Sequence, residues 1–473
     1  MFKKMLAALL VMAMSFSLIG CGNKGEPVSE KVSTDKTEAE SNSDSSGTED
    51  KGSNESSSVV KVAVGTDMMD WVSGVVEAYK NENPDAKIEL IEIMNGSDMY
   101  TKITMMMQSD QTCPDLITED GFMINSDVAA GYLEPLEDLM NNWEDYKNFD
   151  PVVLDGAKGA DGKQYGIPYS TDVQGIWYNK VLMKEAGIAV PFEPKSWDDI
   201  IGAAKKLKEK GGDGFIPVFL FASKTSPEET SMRTFQTLYS GTNSELYSFD
   251  EKKWIVDKEN LLNVFNFVNA VYNTEKVGPP LSIASQQKVG DLFQSDYMKN
   301  GKLGMFFSGS WEASNWGEGK KYEWKEGLDT WGFAKIPTMD GREPGFTTMS
   351  GGWTWAIPAN ANNKEGGKDF LKFIANKENQ LSYALFSGNL AVRSDVMQEE
   401  TYKSQEMAVV NEAADMLKYT HFRPSVEGYN TVTTMYTEVV ESVAMATATP
   451  EEALNTFESE IKRIVGEENV IVK

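Results

Sequence analysis

Short β-branched runs alternate along this chain with longer stretches whose apolar residues recur three and four positions apart. The first run is Val59-Val60-Lys61-Val62-Ala63-Val64, and it ends at Gly65-Thr66-Asp67. From Met69 to about Asn83, Trp71, Val75, Val76 and Tyr79 fall on one helical face, and Pro84 stops the helix. Lys87 to Met94 reads as a second strand closed by Asn95-Gly96, Asp98 to Ser109 as a helix, and Pro114 to Thr118 as a third strand. This alternation predicts an α/β fold built on parallel sheet. In such sheets ligands bind beyond the carboxyl ends of the strands, here at Thr66-Asp67, Asn95-Gly96 and Glu119-Asp120. The pattern continues with an extended Gly175 to Asn179 and with a helix that Ser196 caps, Asp199 completing the capping box. Gly301 to Phe307 reads as a strand before Ser308-Gly309-Ser310-Trp311, and Gly351 to Pro358 as another. From about Lys364 the chain reads as mostly helical, and no internal repeat is present.

The first residues follow different rules. Lys3 and Lys4 precede an apolar run from Met5 to Ile19 that ends in Leu18-Ile19-Gly20-Cys21. A run of about 15 residues is short for a membrane span, which needs roughly 20, and its order is that of a secretory signal. The Leu-x-Gly-Cys ending resembles a bacterial lipobox, although Ala or Ser is commoner where Ile19 stands. The resemblance implies cleavage after residue 20 and a diacylglycerol on Cys21. Gly22 to Ser58 has no aromatic residue and is dominated by Ser, Glu, Asp, Lys, Thr and Gly. Such a segment buries too little apolar area to offset its chain entropy, and as a flexible tether it reaches roughly 35 Å. The expected division is therefore a signal peptide over 1–20 and a lipidated disordered tether over 21–58.

Charge and composition narrow the functions of the remainder. A formal net charge of −27 disfavours nucleic acid and anionic lipid as partners. One histidine, His421, and two cysteines exclude His- and Cys-rich zinc and copper sites. His421 reads as structural, and Cys113 as a small buried hydrophobe. Neither a Gly-x-Ser-x-Gly elbow, a phosphate-cradling Gly-x-x-x-x-Gly-Lys-Ser/Thr loop, nor an Asp-x-Asp-x-Asp-Gly calcium loop occurs, so no cofactor and no metal are expected. The 72 acidic residues leave a two-carboxylate glycosidase open by count.

A series of short motifs then falls in a definite order. It runs through Pro114-Asp115-Leu116-Ile117, Gly131-Tyr132-Leu133-Glu134-Pro135-Leu136, Asp161-Gly162-Lys163-Gln164-Tyr165-Gly166-Ile167-Pro168 and Trp177-Tyr178-Asn179-Lys180. Gly309-Ser310-Trp311, Ser350-Gly351-Gly352-Trp353 and Thr449-Pro450-Glu451-Glu452-Ala453-Leu454 complete it. In this order, from about residue 59 to the end, the chain resembles the extracellular solute-binding proteins of the maltodextrin-binding type, the lipoprotein receptors of carbohydrate ABC importers. The resemblance implies a two-lobed periplasmic-binding-protein-like fold (type II), its lobes joined by three hinge crossings. These are expected near Tyr169–Asp172, Phe306–Gly309 and Met349–Trp353. The N-lobe would then hold 59–170 and 309–350, and the C-lobe 171–308 and 351–473. It also implies a binding protein and not an enzyme, acting as a monomer on the outer face of the cytoplasmic membrane. Its partners would be a carbohydrate ligand, ABC permease subunits and the membrane through its lipid anchor, with no nucleic acid.

A sugar presents hydroxyls at its edge and C–H groups on its faces, so a site needs flat aromatics together with carboxylate, amide or guanidinium groups. Trp311 follows a predicted crossing where the family places a stacking Trp, and Gly352 and Trp353 follow another. Asp120 stands where the family often has an acidic sugar ligand, and Asp172 sits at the first crossing. Thr66, Asp67 and Asn95 occupy strand ends, while Arg423 and Tyr429 flank a C-terminal loop from which the family projects an aromatic. Phe219 to Glu229 is expected to contribute a residue that the sequence does not single out. A non-sugar cargo (a polyamine, a peptide or a phosphorylated polyol) stays open beside the sugar.

Overall fold

The computed structural model describes residues 59–95, 97–403, 408–424, 426 and 428–473. The expected signal peptide, lipidated Cys21 and tether lie outside the described residues. Two sheets organise what is described. The first has the strand order Ile88–Ile93, Val60–Gly65, Leu116–Asp120, Gly352–Ala356, Gly166–Thr171. Val60–Gly65 is parallel to both of its neighbours, whereas Gly352–Ala356 runs antiparallel between the last two strands. Alternate residues enter different cores, Val60, Val62 and Val64 on one face and Ala63 on the other. A sheet covered on both faces explains why the first strand reads as nearly continuous apolar sequence. The helix Met69–Glu82 buries Trp71, Val72, Val75 and Val76 against it.

The second sheet has the order Trp331–Ala334, Gln174–Asn179, Leu303–Gly309, Ile216–Phe219. Its main core takes Ile176, Val218, Met305 and Phe307 from the strands and receives helices Trp197–Lys210, Lys258–Asn269, Tyr429–Ala444 and Pro450–Val465. The predicted capping box is formed, with Asp199 N–H donating to Ser196 Oγ at 3.3 Å and Ser196 N–H to Asp199 Oδ2 at 3.1 Å. Two sheets with separate cores make the two-lobed α/β arrangement that was expected. Cys113 is buried and unbridged.

The boundaries between lobes differ from the expectation. Strand Gly352–Ala356 belongs to the first sheet, and Trp331–Ala334 to the second. The second lobe therefore keeps most of 309–350, and the first lobe takes the chain from 352 through helix Lys377–Ser387, whose Tyr383 joins the first core. The expected crossing near Phe306–Gly309 is also corrected: Leu303–Gly309 is an interior strand of the second sheet and runs on into a turn of the same lobe. The chain does pass between sheets from Thr171 to Gln174 and from Met349 to Gly352. Between Leu390 and Leu417 it packs against Trp177, Phe219 and Trp331 of the second sheet, and helix Tyr429–Ala444 then enters the main core.

Candidate functional site

Three adjacent strand ends of the first sheet carry one wall of a cavity. Trp353 is in register with Asp120 on one side and with Ser170 on the other, so three side chains of different chemistry stand in a row. Gly352 lies beside them with its backbone so close to Ser170 that an added Cβ would sit 2.8 Å from the Ser170 carbonyl oxygen. Tyr100, from helix Ser97–Met107, stacks on Trp353 at 6.1 Å between centroids and 12° between planes, and its hydroxyl donates to Asp120 Oδ2 at 3.1 Å.

The facing wall comes from the second lobe. Trp311 follows strand Leu303–Gly309 in a 3-10 turn and folds back over Gly309, where an added Cβ would lie 1.7 Å from its ring. Glu228 sits in the short helical turn Pro227–Glu229, and Met232 and Arg233 in the π-helical turn Thr230–Gln236 that follows. Such turns are rare and are frequently found at functional sites. Here Thr237 Oγ1 donates to the Met232 carbonyl oxygen, five residues back, at 2.7 Å. Between the walls is a cavity of about 550 Å3 lined from both lobes.

Arg423 joins the two sides. Its guanidinium donates to Asp120 Oδ1 at 3.3 Å in the first lobe and to Glu228 Oε1 at 3.2 Å in the second, and it lies 4.1 Å from the centre of the Phe122 ring. Burial pushes the Asp120 carboxyl up to about 7, against the pull of Arg423. Burial likewise raises Asp172 to about 6, opposed by the Gly351 N–H, which donates to its Oδ1 at 3.2 Å, and then by Arg423 and Arg233. Asp172 Oδ1 also takes the Gln174 amide at 3.4 Å.

The other cations of the wall are engaged as well. Arg233 donates to Ser308 Oγ at 3.1 Å and lies 5.0 Å from the Trp311 ring centre. Lys320 donates to the Phe386 carbonyl oxygen at 3.0 Å, and Lys321 pairs with Asp291 at 3.0 Å. With its cations held by protein groups and carboxylate oxygens facing the space, the cavity is a better acceptor of hydroxyl or amine protons than a host for an anion.

Seven of the residues expected from sequence line this cavity: Asp67, Asp120, Asp172, Trp311, Gly352, Trp353 and Arg423. Three do not. Thr66 turns back to donate to the Ile93 carbonyl oxygen at 3.2 Å. Asn95 stands behind Asp67, donating to its Oδ1 at 2.8 Å and accepting its backbone N–H at 3.1 Å, so it orients a lining residue. Tyr429 is buried in the second core, where its hydroxyl accepts from Gln236 Nε2 at 2.6 Å. The loop position suggested an aromatic projecting into the cleft; the helix it begins packs that ring inward instead. Within the stretch Phe219 to Glu229, Glu228 lines the cavity. Tyr100, Arg233, Tyr383 and Asn389 also line the cavity without having been anticipated. Tyr100 had a usable signal, since it lies in the first turn of a helix just past a strand end; Arg233 had none, because no sequence rule marks a π-helical turn.

The geometry is that of a receptor cleft, and similarity to known proteins agrees. Residues 63–381 match the model of the bacterial extracellular solute-binding protein family, and the chain belongs to that family. Its members bind solutes and are not enzymes. A maltooligosaccharide ABC transporter solute-binding lipoprotein of Streptococcus pneumoniae is 25% identical over 343 residues, covering 70% of this chain and 72% of that protein. The galactooligosaccharide-binding protein of Bacillus subtilis is 22% identical over 419 residues, covering 85% and 90%. Among solved structures, an ABC transporter solute-binding protein of Thermotoga lettingae bound with α-D-tagatose superposes with a TM-score of 0.73 at 19% identity. The match covers 86% of this chain and all of that one (100%).

Proposed function

We propose that this protein is the carbohydrate receptor of an ABC importer, capturing a sugar or short oligosaccharide between its lobes and handing it to a membrane permease. The observation that carries the reading is the two-walled cavity, with Trp353 and Tyr100 on one side, Trp311 on the other, and carboxylates between them. Aromatic rings suit the C–H faces of a sugar and carboxylates accept from its hydroxyls. The names of the relatives point the same way, since the two described above bind maltooligosaccharides and galactooligosaccharides by name. A ligand touching both walls favours the closed lobes by its extra affinity for that arrangement, which gives a permease a means to tell loaded from empty receptor. Cargo contacts would come from Asp67, Asp120, Asp172, Trp311, Gly352, Trp353 and Arg423, with Asn95 acting through Asp67.

The lipobox-like Leu18-Ile19-Gly20-Cys21 supports anchoring at the outer face of the membrane through Cys21. A phosphorylated polyol is disfavoured because the cations of the wall already have partners, whereas a polyamine could use the same carboxylates. Tryptophan fluorescence of the purified protein, titrated with oligosaccharides, polyamines and sugar phosphates, tests the reading. A saturable response to one glycan class is expected. A response confined to polyamines or sugar phosphates would replace the carbohydrate assignment.

A further inference from the structure

Arg423 stands between two cavities. One is the interlobe cavity described above. The other, of about 480 Å3, is also lined from both lobes, and its walls include Tyr239, Tyr247, Phe249, His421 and Phe422. Arg423 borders both. A smaller space of about 30 Å3 shares Asp120 and Gly351 with the first cavity and Gly156 and Phe422 with the second. Taken as the neck between the two, it has room for about one water molecule and not for a sugar ring.

The block in that neck is firmly held. The Arg423 side chain is 6% exposed, and its two carboxylate partners come from opposite lobes, Asp120 and Glu228. Its flat face lies on Phe122. Swinging it aside would leave buried charges without partners, which is costly. Beyond the block, the second cavity has the ingredients of a sugar subsite. Tyr247 and Phe249 meet edge-to-face at 5.2 Å, Phe249 is 63% exposed, and Glu245, Ser240 and His421 supply polar groups.

We propose that Arg423 is a partition that sets the length of the bound saccharide: it closes the inner end of the first cavity and denies a longer chain the second. The proposal rests on the carbohydrate-receptor reading. It makes Arg423 a specificity-determining residue whose removal joins two compartments that both suit sugar rings.

The test is calorimetry on the full chain with linear gluco-, galacto- and arabino-oligosaccharides from disaccharide to heptasaccharide. Wild-type affinity is expected to rise over the first rings and then stop rising or fall. Arg423→Ala should shift the preference toward longer chains by at least about tenfold relative to the wild type. Because that change also strips two carboxylates of their partner, Phe422→Ala is the second variant, widening the same neck while both ion pairs stay. If Arg423→Ala binds nothing, the Phe422→Ala profile decides alone. A length profile unchanged in the variants that still bind overturns the partition, as does a wild type that gains affinity with every added ring. Absence of any saccharide binding by the wild type is instead the failure of the receptor reading, and the partition falls with it.

Discussion

Replacing Trp311 by alanine removes the aromatic platform of the second-lobe wall. The ring is held by its own neighbours: it lies over Gly309, and the Arg233 guanidinium is 5.0 Å from its centre. A ring fixed before the ligand arrives loses little entropy on binding, so most of its contact energy reaches the measured affinity. Alanine replacement of an aromatic stacked on a ligand ring costs about 1–3 kcal/mol, which is roughly a 5- to 150-fold rise in Kd. The folded state should suffer less, because the half-exposed ring gives up chiefly its cation–π contact with Arg233, worth about 0.5–1 kcal/mol. Calorimetry with the best saccharide, beside a thermal melt, separates the two effects. Gly309→Ala supplies a control that leaves the indole in place chemically, since the new Cβ would collide with the ring at 1.7 Å and push it out of position. It should reproduce much of the affinity loss. Unchanged affinity in Trp311→Ala, with the protein still folded, would falsify the stacking role.

Three further outcomes are expected. Glu119 is buried beside Asp127; burial first, then the Asp127 and Asp120 charges, hold its carboxyl well above its usual range, and burial raises Asp127 to about 6. A raised folded-state pKa means the folded protein keeps a proton that the unfolded chain releases, so this group's contribution falls as pH rises from about 4. Glu119→Gln, neutral at every pH, should therefore gain about 1–3 kcal/mol of stability near pH 8 and little near pH 4, and melts that show no pH-dependent difference would count against the account. Asn95→Ala removes one bond to the Asp67 carboxylate and one from its backbone N–H and should weaken saccharide binding by roughly threefold to tenfold with little change in melting temperature; a drop in stability without one in affinity would make Asn95 merely structural. Cys21→Ser should move the protein from the membrane pellet to the soluble fraction of fractionated cells, and a variant that still pellets would rule out the thioether anchor.

Much of this molecule is written locally. The strand and helix periods over residues 59–120 depend only on which face each side chain occupies, and a residue is apolar or polar regardless of what it later packs against. For the same reason the capping box at Ser196 and Asp199 and the strand-end positions of Asp120 and Trp353 were legible: each rests on neighbours a few residues away. Membership of a lobe is a different kind of property. Gly352–Ala356 looks like any buried strand, and nothing in its five residues says that it slots antiparallel between Leu116–Asp120 and Gly166–Thr171. Only the pairing of hydrogen bonds across more than a hundred residues of chain decides it, and that pairing moved the lobe boundary. Tyr429 shows the same limit at the scale of one side chain, since a loop-edge aromatic can face the cleft or the core, and in the second core its hydroxyl accepts from the Gln236 amide. The sequence alone thus determined the elements, their order and the chemical types gathered at the strand ends. The tertiary structure alone decided which of those ends face each other, and so placed Arg423 between an aspartate of one lobe and a glutamate of the other, because charges some 200 and 300 residues apart meet only when both lobes have packed.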